Sequence, residues 1–128
     1  MKEDTERWIA YAEENVRAAE ILKDNNLYNP CLHNIQQSVE KTLKALLIEK
    51  GLKLKKTHSI NELKILLFQN NVIIALSDDD IELLDSIYLP SKYPLSSALP
   101  DFYPDKNICQ TCIDIAHRVL EAAKKILF

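Results

Sequence analysis

The sequence predicts an all-α fold, a single up-and-down bundle of about five helices that spans residues 1–128. Apolar residues recur at intervals of three and four along three long segments, as they do on the buried face of a helix. The chain also holds one glycine and five prolines, so the turns that must punctuate a β-fold are nearly absent. A length of 128 residues suits one domain with its own core.

Two long helices are predicted in the first part of the chain. The first runs from about Asp4 to Lys23, and Asp4 or Thr5 is expected to cap it. The second opens at the Asn29-Pro30 pair, with asparagine as cap and proline in the first turn. It ends at Gly51, since glycine readily takes the left-handed conformation just beyond a helix. Because a short turn joins the two helices, we expect them to pack antiparallel.

Two short helices are predicted next. Ser59 and Glu62 form a capping-box pattern ahead of the apolar run ELKILLF. Ser77 then precedes three aspartates, whose charge suits the positive end of a fourth helix, IELLDSIYL. Both patterns indicate a helix start, and the three aspartates are helix-capping charge rather than a metal site.

A proline-rich segment separates the fourth helix from the last one. Four of the five prolines lie between Tyr88 and Asp105, so no regular element is expected there. Its aromatic rings alternate with the prolines, and they either form a lid over one end of the bundle or, beside lysines, stack on a base. A last long helix is predicted from Asp105 or Asn107 to Leu127.

Composition and charge narrow the classes of function. The formal net charge of −3 argues against a protein that coats nucleic acid through a broad basic surface. No apolar run approaches the roughly 18 residues of a membrane span, and the charged start MKEDTERW is unlike a signal peptide. Three cysteines, an odd number without secretory context, predict reduced thiols and a cytoplasmic location. We expect Cys109 and Cys112 to be core thiols, because a zinc site needs four ligands.

The helix between Cys31 and Gly51 carries the most informative polar residues. At about 100° per residue, one face holds a core stripe of Leu32, Ile35, Val39, Leu43 and Leu46. A polar stripe holds His33, Gln37, Glu40 and Lys44, with Lys41 beside it. Glu40 and Lys44 have the spacing of an ion pair on an exposed helix.

Gln36 lies at the edge of the apolar stripe and needs hydrogen-bond partners. An unpaired buried amide costs about 1–3 kcal/mol. A backbone carbonyl, a side chain from a neighbouring helix, or the same helix in a second subunit can serve as partner. Gln36 is therefore either a polar staple within the fold or a ligand contact.

The run NIQQSVEKTLKALLIEKG in this helix resembles the signature helix of the HEPN family (higher eukaryotes and prokaryotes nucleotide-binding). Trp8, Ala12 and the Asn15-Val16 pair resemble the family's first helix, and His58-Ser59-Ile60 resembles the His-Ser-Leu that opens its third. Tyr88 followed by Lys92-Tyr93-Pro94 resembles its Tyr…Arg-Tyr-Pro segment. The resemblance spans nearly the whole chain and implies an all-α bundle that is commonly a homodimer.

Three departures from the family pattern bear on function. Asn15 stands where the first helix usually carries an acidic residue, and Lys92 replaces an arginine, which keeps the charge but loses the planar fork. The family's ribonucleases and toxins resemble one another through an arginine followed, after four to six residues, by a histidine. None of Arg7, Arg17 or Arg118 has a histidine at that distance. The resemblance therefore implies a chain without catalytic residues.

Small HEPN proteins of this kind often accompany a minimal nucleotidyltransferase encoded beside them. The resemblance thus implies a binding module with a nucleotidyltransferase as protein partner, a nucleotide as the candidate ligand, and no other cofactor or metal. Two alternatives stay open: a ribonuclease toxin with atypical catalytic residues, and a purely structural dimer.

The candidate ligand-binding residues lie in the signature helix and in the segments before the third helix and after the fourth. His58 just precedes a helix N-terminus, where backbone N–H groups can hold a phosphate. In the alternative, His58 packs under the proline-rich segment. The full set of candidates is Gln36, Gln37, Glu40, Lys41, Lys44, His58, Lys92 and Tyr93.

Overall fold

Five α-helices account for the regular structure of the part of the chain that is described. The computed structural model covers residues 1–54, 56–92 and 104–128, with side chains at all of them except 88–92. The helices are α1 (Glu3–Asp24), α2 (Tyr28–Glu49), α3 (Ile60–Gln69), α4 (Asp78–Lys92) and α5 (Lys106–Leu127). The predicted all-α bundle of five helices is confirmed. Within the described ranges, no helix is both long and apolar enough to cross a membrane.

α1 and α2 pack antiparallel, as their short connection predicts. Where α1 begins and α2 ends, the Lys2 backbone N–H donates to Glu49 Oε1 at 2.9 Å. At mid-length, Ser38 Oγ donates to the Ala12 carbonyl at 2.8 Å. The two helices therefore contact each other along their length, and their buried residues form one wall of the core.

α5 lies beside both helices and runs parallel to α2. Near the start of α5, the Cys109 thiol faces the Tyr28 carbonyl at the start of α2, with 3.8 Å between sulfur and oxygen. Near its end, Lys124 Nζ donates to Glu13 of α1 at 3.3 Å. α5 therefore closes the core on the side that the α1–α2 pair leaves open.

The ends of three helices share one backbone conformation. Asn26, Gly51 and Asn71 each have a positive φ, of 60°, 73° and 65° respectively. In each case the following N–H bonds back to a carbonyl in the last helical turn, as Leu52 does to Leu47 at 3.0 Å. This is the Schellman motif, which satisfies carbonyls that the helix leaves unpaired. The predicted role of Gly51 is confirmed.

The caps predicted for α3 and α4 are confirmed, and Asp105 caps α5, whose start was predicted at Asp105 or Asn107. Ser59 Oγ accepts the backbone N–H of Glu62 at 3.2 Å, and the side chain of Asp105 accepts that of Ile108 at 2.8 Å. Ser77 and Asp80 form a reciprocal capping box, in which each side chain accepts the other residue's backbone N–H. The distances are 3.1 and 3.2 Å. The three helices start where short polar side chains replace the missing backbone acceptors.

The predicted caps of α1 and α2 are wrong. The residues before these helices are Lys2 and Leu27, and neither forms a side-chain cap. The start of α1 is held by α2 instead, through the Lys2 backbone N–H and through Lys2 Nζ, which donates to the Ile48 carbonyl at 3.0 Å. α2 follows directly after the motif that ends α1, so its first turn begins before the Asn29-Pro30 pair.

The prediction for the segment after Tyr88 is corrected at its beginning. α4 continues to Lys92, whereas the prolines had argued against any regular element there. A proline near the end of a helix removes a backbone bond only from the final turn, so that turn still forms. Residues 93–103, where the predicted aromatic lid falls, lie outside the described part of the chain.

α2 is the central element of the bundle. It packs against each of the other four helices, and the predicted stripe of Leu32, Ile35, Val39, Leu43 and Leu46 is buried. The opposite side is covered too, since Glu40 is 4% exposed and Lys44 is 9% exposed. The expectation that these two residues form an exposed ion pair is therefore wrong. The remaining helices close over a face that helical periodicity alone assigns to solvent.

Candidate functional site

Five of the predicted ligand-binding residues meet where α2 faces the segment that enters α3. Gln36, Glu40 and Lys44 share one side of α2 because they are four residues apart, and Gln37 lies next to them. His58 approaches from the segment before α3. We call these five residues the α2–α3 network.

The buried end of the network holds the backbone before α3. Gln36 is fully buried, and its Nε2 donates to the carbonyl of His58 at 2.9 Å. Gln37 Nε2 donates in turn to Gln36 Oε1 at 3.1 Å. Of the partners predicted for Gln36, the backbone carbonyl is the one that the structure provides. The amide therefore acts as a staple between α2 and the entry to α3.

The charged end of the network centres on Glu40. Its Oε2 accepts Lys44 Nζ at 3.0 Å, and its Oε1 lies 2.8 Å from His58 Nδ1. The carboxylate is buried, whereas the side chain of His58 is 54% exposed. Both carboxylate oxygens are thus engaged, which compensates the cost of burying their charge. What remains accessible at this site is the imidazole ring rather than the carboxylate.

The N-terminus of α3 already holds an anion from within the chain. The carboxylate of Asp85, on α4, accepts the backbone N–H of Ile60 at 2.8 Å and that of Asn61 at 3.2 Å. Ser59 Oγ occupies the N–H of Glu62. The sequence suggested these backbone N–H groups, beside His58, as a phosphate-binding site. In the structure, the carboxylate of Asp85 occupies that position instead. Sequence reasoning missed Asp85, and the one signal was a carboxylate inside the apolar run LLDSI.

Lys41 does not join the α2–α3 network. It lies on the side of α2 that faces α1, where Nζ donates to Asn15 Oδ1 at 2.8 Å. Asn15 Nδ2 donates onward to Asn34 Oδ1 at 2.9 Å. The Lys41 ammonium also lies 5.9 Å from the centroid of the Tyr11 ring. The candidate residues of α2 therefore serve two separate surfaces.

The last two predicted candidates lie outside what the structure describes. Lys92 is the final residue of α4, but its side chain is not described, and Tyr93 falls in the segment 93–103. Their role as ligand-binding residues stays a prediction.

The three cysteines lie together in the core between α2 and α5. Cys31, Cys109 and Cys112 are fully buried free thiols. Burial, reinforced by the neighbouring sulfurs, raises the pKa of Cys31 to about 12. Burial also raises the pKa of Cys112 to about 12 and shifts the pKa of Cys109 upward. The thiols therefore stay protonated at neutral pH, as expected for core residues rather than nucleophiles.

A groove between α1 and α5 brings together an arginine and a histidine that are far apart in sequence. Arg17 and His117 both line it, and its volume is about 270 Å³. His117 Nε2 lies 2.6 Å from Glu20 Oε1. Glu13, Glu121 and Lys124 line the same groove, so three carboxylates face the two cations Arg17 and Lys124 there. A search for fixed spacing along the chain cannot find such a pair, because it forms only when α1 and α5 pack.

An apolar groove opens between α3 and the segment before α4. Phe68 is 66% exposed and Ile73 is 75% exposed, and both line this groove of about 640 Å³. Its rim is held in place, because Lys64 bonds to the Leu76 carbonyl and Arg118 pairs with Asp80. We call it the α3 groove.

Comparison with known proteins decides the family. The family model for the HEPN domain matches residues 5–126, nearly the whole chain. The chain belongs to the HEPN domain family. The resemblance seen in the signature helix is thus confirmed, and the α2–α3 network is what this HEPN domain builds from that helix.

Two solved structures resemble this HEPN domain over its full length. The archaeal HEPN homologue ST0689 is 27% identical, covers 100% of both chains and has a TM-score of 0.73. TT1696 from Thermus thermophilus is 22% identical over 97% of this chain and 98% of its own, with a TM-score of 0.76. At 22% identity, the likeness to TT1696 shows a shared fold only. No curated protein matches the chain.

Proposed function

We propose that this HEPN domain is a non-catalytic binding module, homodimeric, that partners a minimal nucleotidyltransferase and binds a nucleotide. The observation that carries the partner-binding part of the proposal is the α3 groove, whose two large apolar side chains are mostly exposed. Adjacent exposed apolar residues of this kind mark surfaces that contact another protein. A groove with a fixed rim also loses little conformational entropy when a partner fills it.

The charged groups of the fold support a role without catalysis. The carboxylate of Glu40 is buried and holds Lys44 and His58. His117 is engaged by Glu20, and Arg118 by Asp80. Catalytic groups need access to a substrate, whereas the Glu40 carboxylate and the Lys44 ammonium are buried and engaged with each other. Their contacts stabilise the bundle.

Partner binding is tested by co-expression with a minimal nucleotidyltransferase. We expect the two proteins to co-purify through size-exclusion chromatography. The double variant Phe68→Ser/Ile73→Ser should weaken the complex at least tenfold in a binding titration. Ile21→Ser is the matched control, because Ile21 is also a mostly exposed aliphatic residue but lies on α1.

Two outcomes would contradict the partner proposal. One is the absence of any complex when both proteins are folded and present at micromolar concentration. The other is a complex that the α3-groove variant and the α1 control weaken equally. Light scattering of the isolated chain measures its oligomeric state separately. A monomer at all concentrations would contradict the proposed homodimer.

A ribonuclease with atypical residues is the second candidate, favoured by the shared position of Arg17 and His117 in the α1–α5 groove. Three glutamates and only two cations, Arg17 and Lys124, line that groove, so it is not the basic surface that a phosphodiester backbone favours, which places this candidate second. Purified protein incubated with RNA should cause no cleavage. Cleavage that His117→Ala abolishes and His58→Ala leaves unchanged would replace the non-catalytic proposal.

A further inference from the structure

Two clefts run together along the outer side of α1 and α2. The first, of about 350 Å³, is lined by Asp4, Arg7, Trp8, Tyr11 and Lys41. The second, of about 420 Å³, also has Tyr11 and Lys41 in its walls. The two clefts are therefore adjacent, with these two side chains lining both. Their volumes fall in the range of about 300–1,000 Å³ that is typical of small-molecule sites.

Lys41 gives this surface a positive charge that no carboxylate of the described residues pairs with directly. The side chain is half-buried, and its Nζ is bonded to the neutral amide oxygen of Asn15. Among the described residues, no carboxylate oxygen lies within 4.0 Å of this ammonium. Glu14 borders the second cleft without reaching that distance. A partly buried cation without a carboxylate partner favours an anion from solution.

The aromatic groups of the first cleft suit a flat ring. Tyr11 is 58% exposed, and the half-buried Trp8 lies one helical turn before it. Both ring systems therefore remain accessible from the same cleft. Arg7 adds a planar guanidinium, which Glu3 Oε1 holds at 2.7 Å. Rings beside a cation are the arrangement on which proteins stack nucleobases while binding the attached phosphate.

The charge balance of the surface limits how many phosphates it accepts. Asp4 is within 3.7 Å of Arg7 and offsets much of its charge. Lys41 then remains as the one cation of the two clefts that no described carboxylate pairs with directly. One uncompensated cation matches a single phosphate, and additional phosphates would approach Asp4 and Glu14.

We propose that the cleft between Trp8, Tyr11 and Lys41 binds a nucleoside monophosphate, with the base on the aromatic rings and the phosphate at Lys41. The proposal rests on the nucleotide-binding part of the proposed function and gives that part a location. It also separates nucleotide binding from the α2–α3 network, whose carboxylate is already engaged, and from the α3 groove.

Trp8 is the only tryptophan in the chain, so its fluorescence reports on this cleft directly. We would titrate the purified chain with AMP and, in parallel, with adenosine and with ribose 5-phosphate. AMP should quench the fluorescence in a saturable way and bind at least tenfold more tightly than either fragment. ATP should bind no more tightly than AMP.

Two variants test the separate contacts. Tyr11→Leu, which keeps an apolar side chain without the ring, should weaken AMP binding roughly tenfold. Asn15→Asp has nearly the same shape and gives Lys41 the carboxylate it lacks. It should weaken AMP binding by a similar factor and leave adenosine binding unchanged. Lys106→Met, at an exposed position on α5, is the control and should not alter AMP binding.

The outcomes separate this inference from the rest of the proposed function. Absence of AMP binding at millimolar concentration overturns the cleft and nucleotide binding together, while the co-purification experiment still decides the protein partner. AMP binding that Tyr11→Leu and Asn15→Asp leave unchanged overturns the cleft alone. Equal affinity for AMP and ribose 5-phosphate overturns the role of the aromatic rings.

Discussion

Glu40 is a buried carboxylate that joins side chains from two segments of the chain. It accepts a hydrogen bond from α2 itself, through Lys44, and faces the imidazole of His58 before α3. A buried carboxylate is costly unless its charge is compensated, and removal of one member leaves the other charge without a partner. Glu40 therefore contributes to stability chiefly by keeping Lys44 paired.

We predict that Glu40→Ala lowers the free energy of unfolding by about 3 kcal/mol, because it leaves the Lys44 ammonium buried and unpaired. Urea denaturation followed by circular dichroism measures the change. The double variant Glu40→Leu/Lys44→Met removes both charges and should recover most of the loss. A double variant as unstable as the single one would show that the ion pair itself, rather than the orphaned charge, determines stability.

Because the thiols are buried, the folded chain becomes less stable at alkaline pH. The pKa of Cys31 and Cys112 is about 12 in the folded chain, against 9.0 for an ordinary thiol. Below pH 9 both states hold these protons. As pH rises from 9 towards 12, the unfolded chain releases them and the folded chain does not, so the folded state loses stability.

We predict that the free energy of unfolding falls between pH 8 and pH 10, by an amount on the order of 1 kcal/mol for each of these two thiols. Cys31→Ala should be less stable at both pH values, because it leaves a cavity. Its decline between pH 8 and pH 10 should nevertheless be smaller than that of the unaltered chain. Equal declines in urea titrations at the two pH values would contradict the assignment to Cys31.

At the scale of elements, the start of α3 depends on a residue from another helix. Asp85 of α4 accepts two of its first backbone N–H groups, while Ser59 caps it locally. Carboxylates near a helix N-terminus pair with unsatisfied N–H groups and with the helix dipole. α3 has 10 residues, too few to be stable alone in water, so this contact couples its formation to α4.

We predict that Asp85→Asn lowers the free energy of unfolding by about 1–2 kcal/mol and speeds hydrogen exchange at the start of α3. Asp79→Asn is the matched control, because Asp79 is an exposed acid in the first turn of α4. It should cost only about 0.3–1 kcal/mol. Equal decreases in the free energy of unfolding for the two variants would contradict the proposed role of Asp85 at the start of α3.

The helix ends allow a comparison between glycine and asparagine. Gly51 has the same left-handed backbone as Asn26 and Asn71. A Cβ at Gly51 would have only Lys2 Nζ nearby, at 3.5 Å, so backbone conformation rather than space determines the cost of substitution. We predict that Gly51→Ala lowers the free energy of unfolding by about 1 kcal/mol and that Gly51→Asn lowers it less. Thermal denaturation ranks the two variants, and the reverse order would contradict this account.

At the scale of the whole molecule, stability is concentrated around α2. This helix contacts all the others, so a defect in its core face affects every interface of the bundle. We predict that Leu43→Ala lowers the free energy of unfolding by about 2–5 kcal/mol. Ile65→Ala should change it by less than about 1 kcal/mol, because Ile65 is 48% exposed. Hydrogen exchange should show reduced protection in all described helices for Leu43→Ala, and an effect confined to α2 would contradict its central role.

The sequence by itself determined the fold class, the five helices, most of the helix ends and the family. These depend on local chemistry: apolar residues at helical spacing, Ser59 and Ser77 as caps, and Gly51 beyond the end of α2. The polar run of the second helix also identified the family, because its pattern is continuous along the chain and readable without a structure.

The tertiary structure decided which polar residues are buried, paired or open to a ligand. Periodicity assigned Glu40 and Lys44 to solvent, and the packing of the remaining helices around α2 buried them. At the N-terminus of α3, where the sequence suggested a phosphate site, the carboxylate of Asp85 from α4 accepts the backbone N–H groups. Lys41 lies beside the neutral Asn15 and faces an open cleft. The physical reason is the same in each case: burial and charge pairing depend on contacts between residues that are distant in sequence.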